Sequence, residues 1–350
     1  MKTEIVKIDF LDSDAIKILT RAAEIIKNDG LVVFPTETVY GLGADATSAS
    51  AAKKIFSAKG RPVDNPLIIH ITDPLDAEKY TYTNSVYYTL AKKFMPGPLT
   101  VILPSKSNVP PETRAGLPTV AVRCPQNLIA RKLIELSGVP ICAPSANLSG
   151  SPSPTRASHA IDDMNGRVDM IIDGGDCDFG LESTIVKIDD DGGVTLLRPG
   201  KITVGDLEEA VHSVRIADAV KSVLRDGETV LSPGMKYRHY APKAPLFLVD
   251  ADIKNASSAL ANLIKGKNAA IICYDADYDI LSSALKNCFI YKFGKKNDEV
   301  AQARVLFDIL RDADKREFDE IYAPLPSSDG IGLALYNRMI RAAAHHIIRM

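Results

Sequence analysis

Residues 14–29 (DAIKILTRAAEIIKND) repeat their apolar positions at helical spacing and stop at Gly30, and LVVF at 31–34 then reads as a short buried strand. The same alternation continues. Helical patterns near 48–58, 84–95, 126–137 and 155–163 are interleaved with apolar runs at 67–71, 99–103, 119–123, 140–142 and 168–172, which predicts an α/β domain. Strands at 183–188 and 194–198 have no helix between them, so part of this sheet is expected to be antiparallel. A helix near 203–213 follows. The stretch LSPGMKYRHYAPKAP at 231–245 then reads as an ordered linker, its prolines favouring extended backbone. From Leu246 a second series begins, with strands at 247–249, 269–274, 288–293 and 320–323 separated by helical patterns. This predicts a smaller Rossmann-like unit. It carries no glycine-rich phosphate turn, which favours a regulatory, docking or stabilising role. The expected division is 1–215, a linker at 216–245, and 246–350.

Length agrees with two units, since 350 residues exceed what one hydrophobic core usually serves. A composition of 46% hydrophobic and 25% charged residues excludes a disordered chain. No apolar run approaches the roughly 20 residues of a spanning helix. The start, MKTEIVKIDF, has charges where a signal peptide needs apolar residues, so the expected location is the cytoplasm. Cys124, Cys142, Cys177, Cys273 and Cys288 are scattered and odd in number, which argues against a disulfide framework or a structural zinc site. His345 and His346 are neighbours that point to different faces of a helix, so no metal cage is expected from them. A net charge of −2 gives no global attraction to nucleic acid; a polyanion must be caught by a local basic cleft.

Several positions invite chemistry. Lys59-Gly60-Arg61-Pro62 follows a helix and precedes the strand LIIHI, placing two cations on a stiff connection where a triphosphate fits, or where two solvated loop residues sit. Pro144-Ser145-Ala146-Asn147 and the run up to Thr155, which contains Ser153, offer backbone N–H groups and short side-chain donors to phosphate or carboxylate oxygens. An ordinary turn has the same content. Arg123 ends the apolar strand Thr119-Val-Ala-Val-Arg123 and reads as a carboxylate clamp or as half of a structural ion pair with an acid. Glu182-Ser183-Thr184 and Arg198-Pro199-Gly200 bring hydroxyls and a further cation to strand ends. His70 closes LIIH and reads either as a satisfied core residue or as a donor to a substrate.

No P-loop, HExxH, GxSxG or kinase HRD signature occurs. Gly41-Leu42-Gly43-Ala44-Asp45-Ala46 approximates a dinucleotide fingerprint. PTETVY separates it from the strand, so it reads as a turn before the helix at 48 and an NAD-dependent enzyme is disfavoured.

Taken in order, Phe34-Pro-Thr-Glu-Thr-Val-Tyr-Gly-Leu-Gly43, Ala58-Lys-Gly-Arg-Pro62 with Asn65-Pro66-Leu67, Pro96-Gly-Pro-Leu-Thr100, Val120-Ala-Val-Arg123, Ala143-Pro-Ser-Ala-Asn147, Glu182-Ser-Thr184 and Leu197-Arg-Pro-Gly200 resemble the Sua5/YrdC family. Ser232-Pro-Gly-Met-Lys-Tyr-Arg-His-Tyr-Ala-Pro242 and the trailing unit resemble its longer, Sua5 form, so the resemblance covers essentially the whole chain. It implies a YrdC-like twisted mixed sheet with helices, plus a smaller Rossmann-like α/β domain. It implies an ATP-consuming nucleotidyltransferase that joins L-threonine, bicarbonate and ATP into threonylcarbamoyl-adenylate and pyrophosphate, for passage to a tRNA threonylcarbamoyltransferase complex. By the same resemblance Thr36, His70, Arg123, Ala143 and Ser183 hold threonine. Lys59, Arg61, Val63, Thr119, Ser145, Asn147, Ser153, Arg198 and Tyr237 hold ATP. Mg2+ enters with the nucleotide, with no dedicated protein cage.

Tyr237 sits in Met235-Lys-Tyr-Arg-His-Tyr240, whose aromatic and basic content suggests a lid over the cavity as an alternative to a passive connector. The rival class is an RNA-binding module with a basic cavity and no catalysis. It lacks the aromatic interleaving of single-strand binders, although direct tRNA binding stays open.

Overall fold

The computed structural model describes residues 2–222, 240–252, 255–286 and 288–350. Tyr237 and the lid expectation resting on it lie outside the described residues. Contacts divide the chain into two compact units, Met1–Ser149 with Ser153–Lys236, and Gly150–Pro152 with Tyr237–Met350.

The first unit runs β1 (Glu4–Lys7), α1 (Ser13–Lys27), β2 (Val32–Phe34), β3 (Gly41–Asp45), α2 (Ala49–Lys59), β4 (Ile68–His70), α3 (Ser85–Phe94), β5 (Leu99–Pro104), β6 (Thr119–Arg123), α4 (Leu128–Ser137), β7 (Ile141–Cys142), α5 (Ala157–Met164), β8 (Met170–Asp173), β9 (Thr184–Ile188), β10 (Val194–Arg198), α6 (Val204–Glu208) and β11 (Val214–Ile216). Among the described residues its strands form one eleven-stranded mixed sheet in the order β1-β8-β2-β3-β7-β4-β6-β5-β9-β10-β11. The β9–β10 pair is antiparallel, as the missing helix between them predicts.

Helix α1 shows why the apolar pattern was readable. The Asp12 side chain accepts from the backbone N–H groups of Asp14 and Ala15, ending the helix cleanly at its start. Ala15, Leu19, Ala22, Ala23 and Ile26 then face inward, and pack with Ile129, Ala130, Leu133 and Ile134 of α4 against Val32, Met170 and Ile172. That core supports one region of the sheet and leaves a different region for chemistry.

Two expectations are corrected here. Gly41–Asp45 is a buried strand and not a turn, pairing antiparallel with both β2 and β7. Glycine suits it because a Cβ on Gly43 would lie 2.7 Å from the Phe34 ring and 2.8 Å from Ile141. The helix near 203–213 stops at Glu208 and is followed by β11, which adds to β10 in parallel. A Thr203–Asp206 capping box starts that helix.

The second unit runs β12 (Leu246–Asp250), α7 (Ser257–Leu263), β13 (Ala269–Cys273), α8 (Tyr278–Ala284), β14 (Cys288–Lys292), α9 (Glu299–Arg316), β15 (Glu320–Pro324), α10 (Gly332–Ala342) and β16 (Ile347–Arg349). All four strand pairings that build its five-stranded sheet are parallel, in the order β14-β13-β15-β12-β16. The Rossmann-like expectation is borne out, with β16 as a strand the hydrophobic pattern did not reveal. Tyr240 stacks on Phe307 with ring centroids 5.4 Å apart, and the Arg338 guanidinium lies over the same tyrosine ring.

Candidate active site

The sheet itself aligns the polar residues. His70 ends β4 and Arg123 ends the neighbouring parallel β6, so the register sets them side by side. Thr100 of β5 is the cross-strand partner of Arg123 on its other flank. Thr100 and Ser183 share a hydroxyl–hydroxyl hydrogen bond of 2.8 Å. The Arg198 Nη2 donates to Ser183 Oγ at 3.1 Å and its Nε to the Ser183 carbonyl at 3.0 Å. His70, Arg123, Thr100, Ser183 and Arg198 therefore form one continuous polar row across four strands and the entry to β9. On the same pleat face lie Ile68, Ala121, Ile102 and Ile185, members of one small apolar cluster.

Of the two readings that the sequence left open for Arg123, the structural ion pair is the one present. Its Nη2 donates to Glu37 Oε1 at 2.6 Å in a buried ion pair. Its Nε is buried and has no hydrogen-bond partner. An unanswered buried guanidinium N–H costs free energy, and an incoming carboxylate removes that cost. Glu37 also accepts from the Asn127 backbone N–H, so it is held from two sides.

His70 is buried, and its Nδ1 lies 3.1 Å from the Ile68 carbonyl and 3.3 Å from that of Ile141. Carbonyls only accept, so Nδ1 carries the proton. Burial, and next the nearby Arg123 charge, push its pKa down to about 3, so the ring is neutral. Its Nε2 is then an acceptor. Of the two sequence readings, the satisfied core histidine is therefore the one observed, and a donor role towards substrate is set aside.

The cation pair is also not a solvated loop. Lys59 is the last residue of α2 and is 2% exposed; Arg61 is 9% exposed. Gly60 between them takes the left-handed conformation, φ +62°, that closes the helix. Lys59 Nζ donates to the carbonyls of Ser145 and Asn147, and Ser145 Oγ donates to Asn147 Oδ1 at 2.5 Å. Arg61 donates to the carbonyls of Asn65 and Pro66, each at 3.2 Å. The Ser145–Asn147 stretch is thus tied to the lysine rather than being an ordinary turn.

Other candidates are more dispersed. Ser153 donates to the Glu182 carboxylate, next to Ser183 in the chain. The Ala143 N–H donates to the Ile68 carbonyl, joining β7 to the start of β4. Thr36 Oγ1 donates to the Val39 carbonyl at 2.6 Å within its own turn. Thr119 opens β6, four residues and about 13 Å along the strand from Arg123. Val63 is 70% exposed. Among the described residues no group of three or more His, Cys, Asp or Glu gathers as a metal would require.

Residues 24–200 match the family model Sua5_yciO_yrdC, described as "Telomere recombination", and residues 202–344 match Sua5_C, described as "Threonylcarbamoyl-AMP synthase, C-terminal domain". The chain belongs to the Sua5/YrdC family. This family member is 43% identical to a threonylcarbamoyl-AMP synthase of Pyrococcus abyssi, over 94% of this chain and 95% of that one. It is 41% identical to the Bacillus subtilis enzyme of the same name, over 95% and 94%. A solved structure of P. abyssi Sua5 complexed with L-threonine superposes with a TM-score of 0.88 at 40% identity, covering 100% of both chains. The Sua5/YrdC chain is therefore an enzyme that makes threonylcarbamoyl-AMP, a nucleotidyltransferase of tRNA modification.

Sequence reasoning missed two members of this site. Glu37 lies inside the first quoted motif, and the isolated Arg123 signalled that some acid must answer it, but nothing local said which. Thr100 ends the quoted motif Pro96-Gly-Pro-Leu-Thr100 but was given no role, because only the β5–β6 register brings it beside Arg123.

Proposed function

We infer that the first unit binds L-threonine at the His70–Arg123–Ser183 end of the polar row and ATP towards Lys59, Ser145 and Asn147. The observation that carries this is the buried, unpartnered Nε of Arg123 beside its ion pair with Glu37. A threonine carboxylate satisfies that donor, and the neutral His70 Nε2 suits the substrate's ammonium or hydroxyl as an acceptor. In the reaction the threonine amine bonds to the carbon of bicarbonate, whose C–OH bond breaks with loss of water, or to CO2 with loss of a proton from the nitrogen, giving a carbamate. A carbamate oxygen then attacks the α-phosphorus of ATP, and the bond to the β-phosphate bridging oxygen breaks as pyrophosphate leaves. No side chain becomes covalently attached. The chain's own residues supply placement and fixed donors for the phosphate charge, with the apolar cluster limiting water at the carbamate.

Mg2+ would be carried by the nucleotide and would supply charge neutralisation as pyrophosphate departs; among the described residues no group of three or more His, Cys, Asp or Glu gathers to hold it. The downstream partner is a transferase that moves the threonylcarbamoyl group to tRNA. A cytoplasmic location agrees with the described residues, where no helix is long and apolar enough to cross a membrane.

Pyrophosphate release tests the reading. It should require ATP, threonine and bicarbonate together. Salt-dependent RNA binding indifferent to threonine, with no pyrophosphate formed, would return the chain to the RNA-module alternative.

A further inference from the structure

The five-stranded sheet of the second unit has a feature that its lack of a glycine-rich turn conceals. After β13 the chain leaves through α8 towards the β14 edge; after β15 it leaves through α10 towards the opposite edge, at β16. Since β13 and β15 are neighbours and crossovers are right-handed, their helices lie on opposite faces and a crevice opens at the carboxyl ends of these two strands. A cavity of about 440 Å³ lies there, lined by Tyr274 after β13, Ser327 and Ser328 after β15, Asp250 at the end of β12, and Lys296. Glu299, Gln302 and Tyr336 close it from α9 and α10. Its size falls in the roughly 300–1,000 Å³ range of small-molecule sites.

The rim is built, not fortuitous. Glu299 accepts from Gly332 N–H at 2.8 Å and from Ser327 Oγ at 2.7 Å, fastening the loop between β15 and α10. Glycine at 332 permits this close approach, because a Cβ there would stand 2.0 Å from Ser327 Oγ and 2.6 Å from Glu299 Oε1 and would displace them. The buried Gln302 amide donates to the carbonyls of Lys295 and Lys296, fixing the turn that carries the Lys296 cation. Leu325 N–H donates to the Val249 carbonyl, tying the same loop to β12. Both rim loops are thus preorganised by residues of a single helix.

We propose that this cavity is a binding site for a nucleoside monophosphate. Half-buried Tyr336 supplies a ring for a base, and half-buried Tyr274, backed on one side by Phe293 with ring centroids 6.4 Å apart, supplies a second; neither hydroxyl has a hydrogen-bond partner among the described residues. Lys296 Nζ stands 6.0 Å from the centre of the Tyr274 ring and is an exposed cation for one phosphate, with the Ser328 hydroxyl beside it in the lining. Asp250 is an acceptor for ribose hydroxyls; its 3.6 Å pairing with Arg349 is exposed and weak. The Glu299 carboxylate is turned to the start of α10 and to Ser327, whose donors and helix dipole offset part of its charge. The same clamp fills the amide that a longer phosphate chain needs, and residues 250–256 and 274–278 contain no glycine to cradle one. That disfavours a triphosphate or a dinucleotide. A free aromatic amino acid has the ring, anion and donor in fewer atoms and would leave much of the cavity to water.

The test uses the full chain with the first unit's site filled by saturating L-threonine and α,β-methylene-ATP, and titrates AMP by calorimetry. One further equivalent of AMP should bind. Lys296→Met and Tyr336→Ala should each weaken it roughly tenfold or more, the size expected for losing a charged hydrogen bond or a stacked ring. Tyr336→Phe should retain most of the binding, and pyrophosphate release from ATP should stay unchanged in all three variants, since neither Lys296 nor Tyr336 is among the residues assigned to catalysis. Absence of a further equivalent overturns the proposal, as does binding that the variants leave untouched. So does tighter binding of ATP, of inorganic phosphate or of a free aromatic amino acid than of AMP. Loss of pyrophosphate release in the unmodified chain would instead count against the catalytic reading and leave this site standing.

Discussion

Arg123 and Glu37 meet through a single 2.6 Å hydrogen bond from Nη2 to Oε1, while the neighbouring Nε of the same guanidinium is buried and unanswered. One arm of the fork holds the arginine in place, and the other has no partner within the fold. Lysine in its place keeps the charge but loses the planar fork. Arg123→Lys should therefore raise the apparent KM for threonine by tenfold or more, corresponding to about 1.5–3 kcal/mol for a hydrogen bond to a charged group, with little change for ATP. Steady-state kinetics with each substrate varied decide it, and an equal loss for both substrates would remove the assignment.

Lys59 and Arg61 are expected to matter more at the transition state than in nucleotide binding, so alanine at either should lower kcat by more than it raises KM for ATP. Their burial adds a second consequence. Lys59→Ala leaves the Ser145 and Asn147 carbonyls without their donor, so it should also lower stability by about 1–3 kcal/mol. Denaturant midpoints read the stability and single-turnover rates read the chemistry; normal turnover in both variants would exclude them from the mechanism.

His70 makes the first unit sensitive to acid. Its pKa falls to about 3 in the folded chain from 6.5, chiefly through burial, so between those values the unfolded state holds the extra proton. Stability from this group is intact above pH 6.5 and declines as pH falls towards 3. From pH 6.5 to 5 the loss amounts to about 2 kcal/mol at about 1.36 kcal/mol per pH unit. Urea unfolding at both pH values should show that loss in the unmodified chain and not in His70→Gln. An identical pH dependence in the two would mean that the histidine is protonated in the fold.

Chelation separates a metal carried by substrate from one built into the fold. Excess EDTA should abolish pyrophosphate release while leaving the thermal midpoint of the ligand-free chain unchanged, because no cluster of metal-ligating side chains exists among the described residues. A drop in the midpoint would reveal a structural ion.

Much of this protein is legible without coordinates. The 3.6-residue spacing of Ala15, Leu19, Ala22 and Ile26, and the β-branched runs that became β4, β6 and β13, determine their elements, because each pattern is a local consequence of one face being buried. The ordered motifs likewise marked Lys59, Arg123, Ser145 and Arg198 as chemically interesting. Tertiary structure decided what each could do. Gly41–Asp45 became a strand because the Phe34 ring needs its missing side chains, a packing fact with no local signature. His70 Nε2 became an acceptor because two carbonyls from separate strands accept from its Nδ1–H, and Thr100 reached Arg123 through strand register. Glu37 answers Arg123 across 86 residues, and Lys59 reaches the Asn147 carbonyl across 88. Secondary structure follows from the periodicity of a short window, whereas a buried charge is stabilised by whichever partner the completed sheet brings within about 3 Å, and that choice is made only when the chain closes on itself.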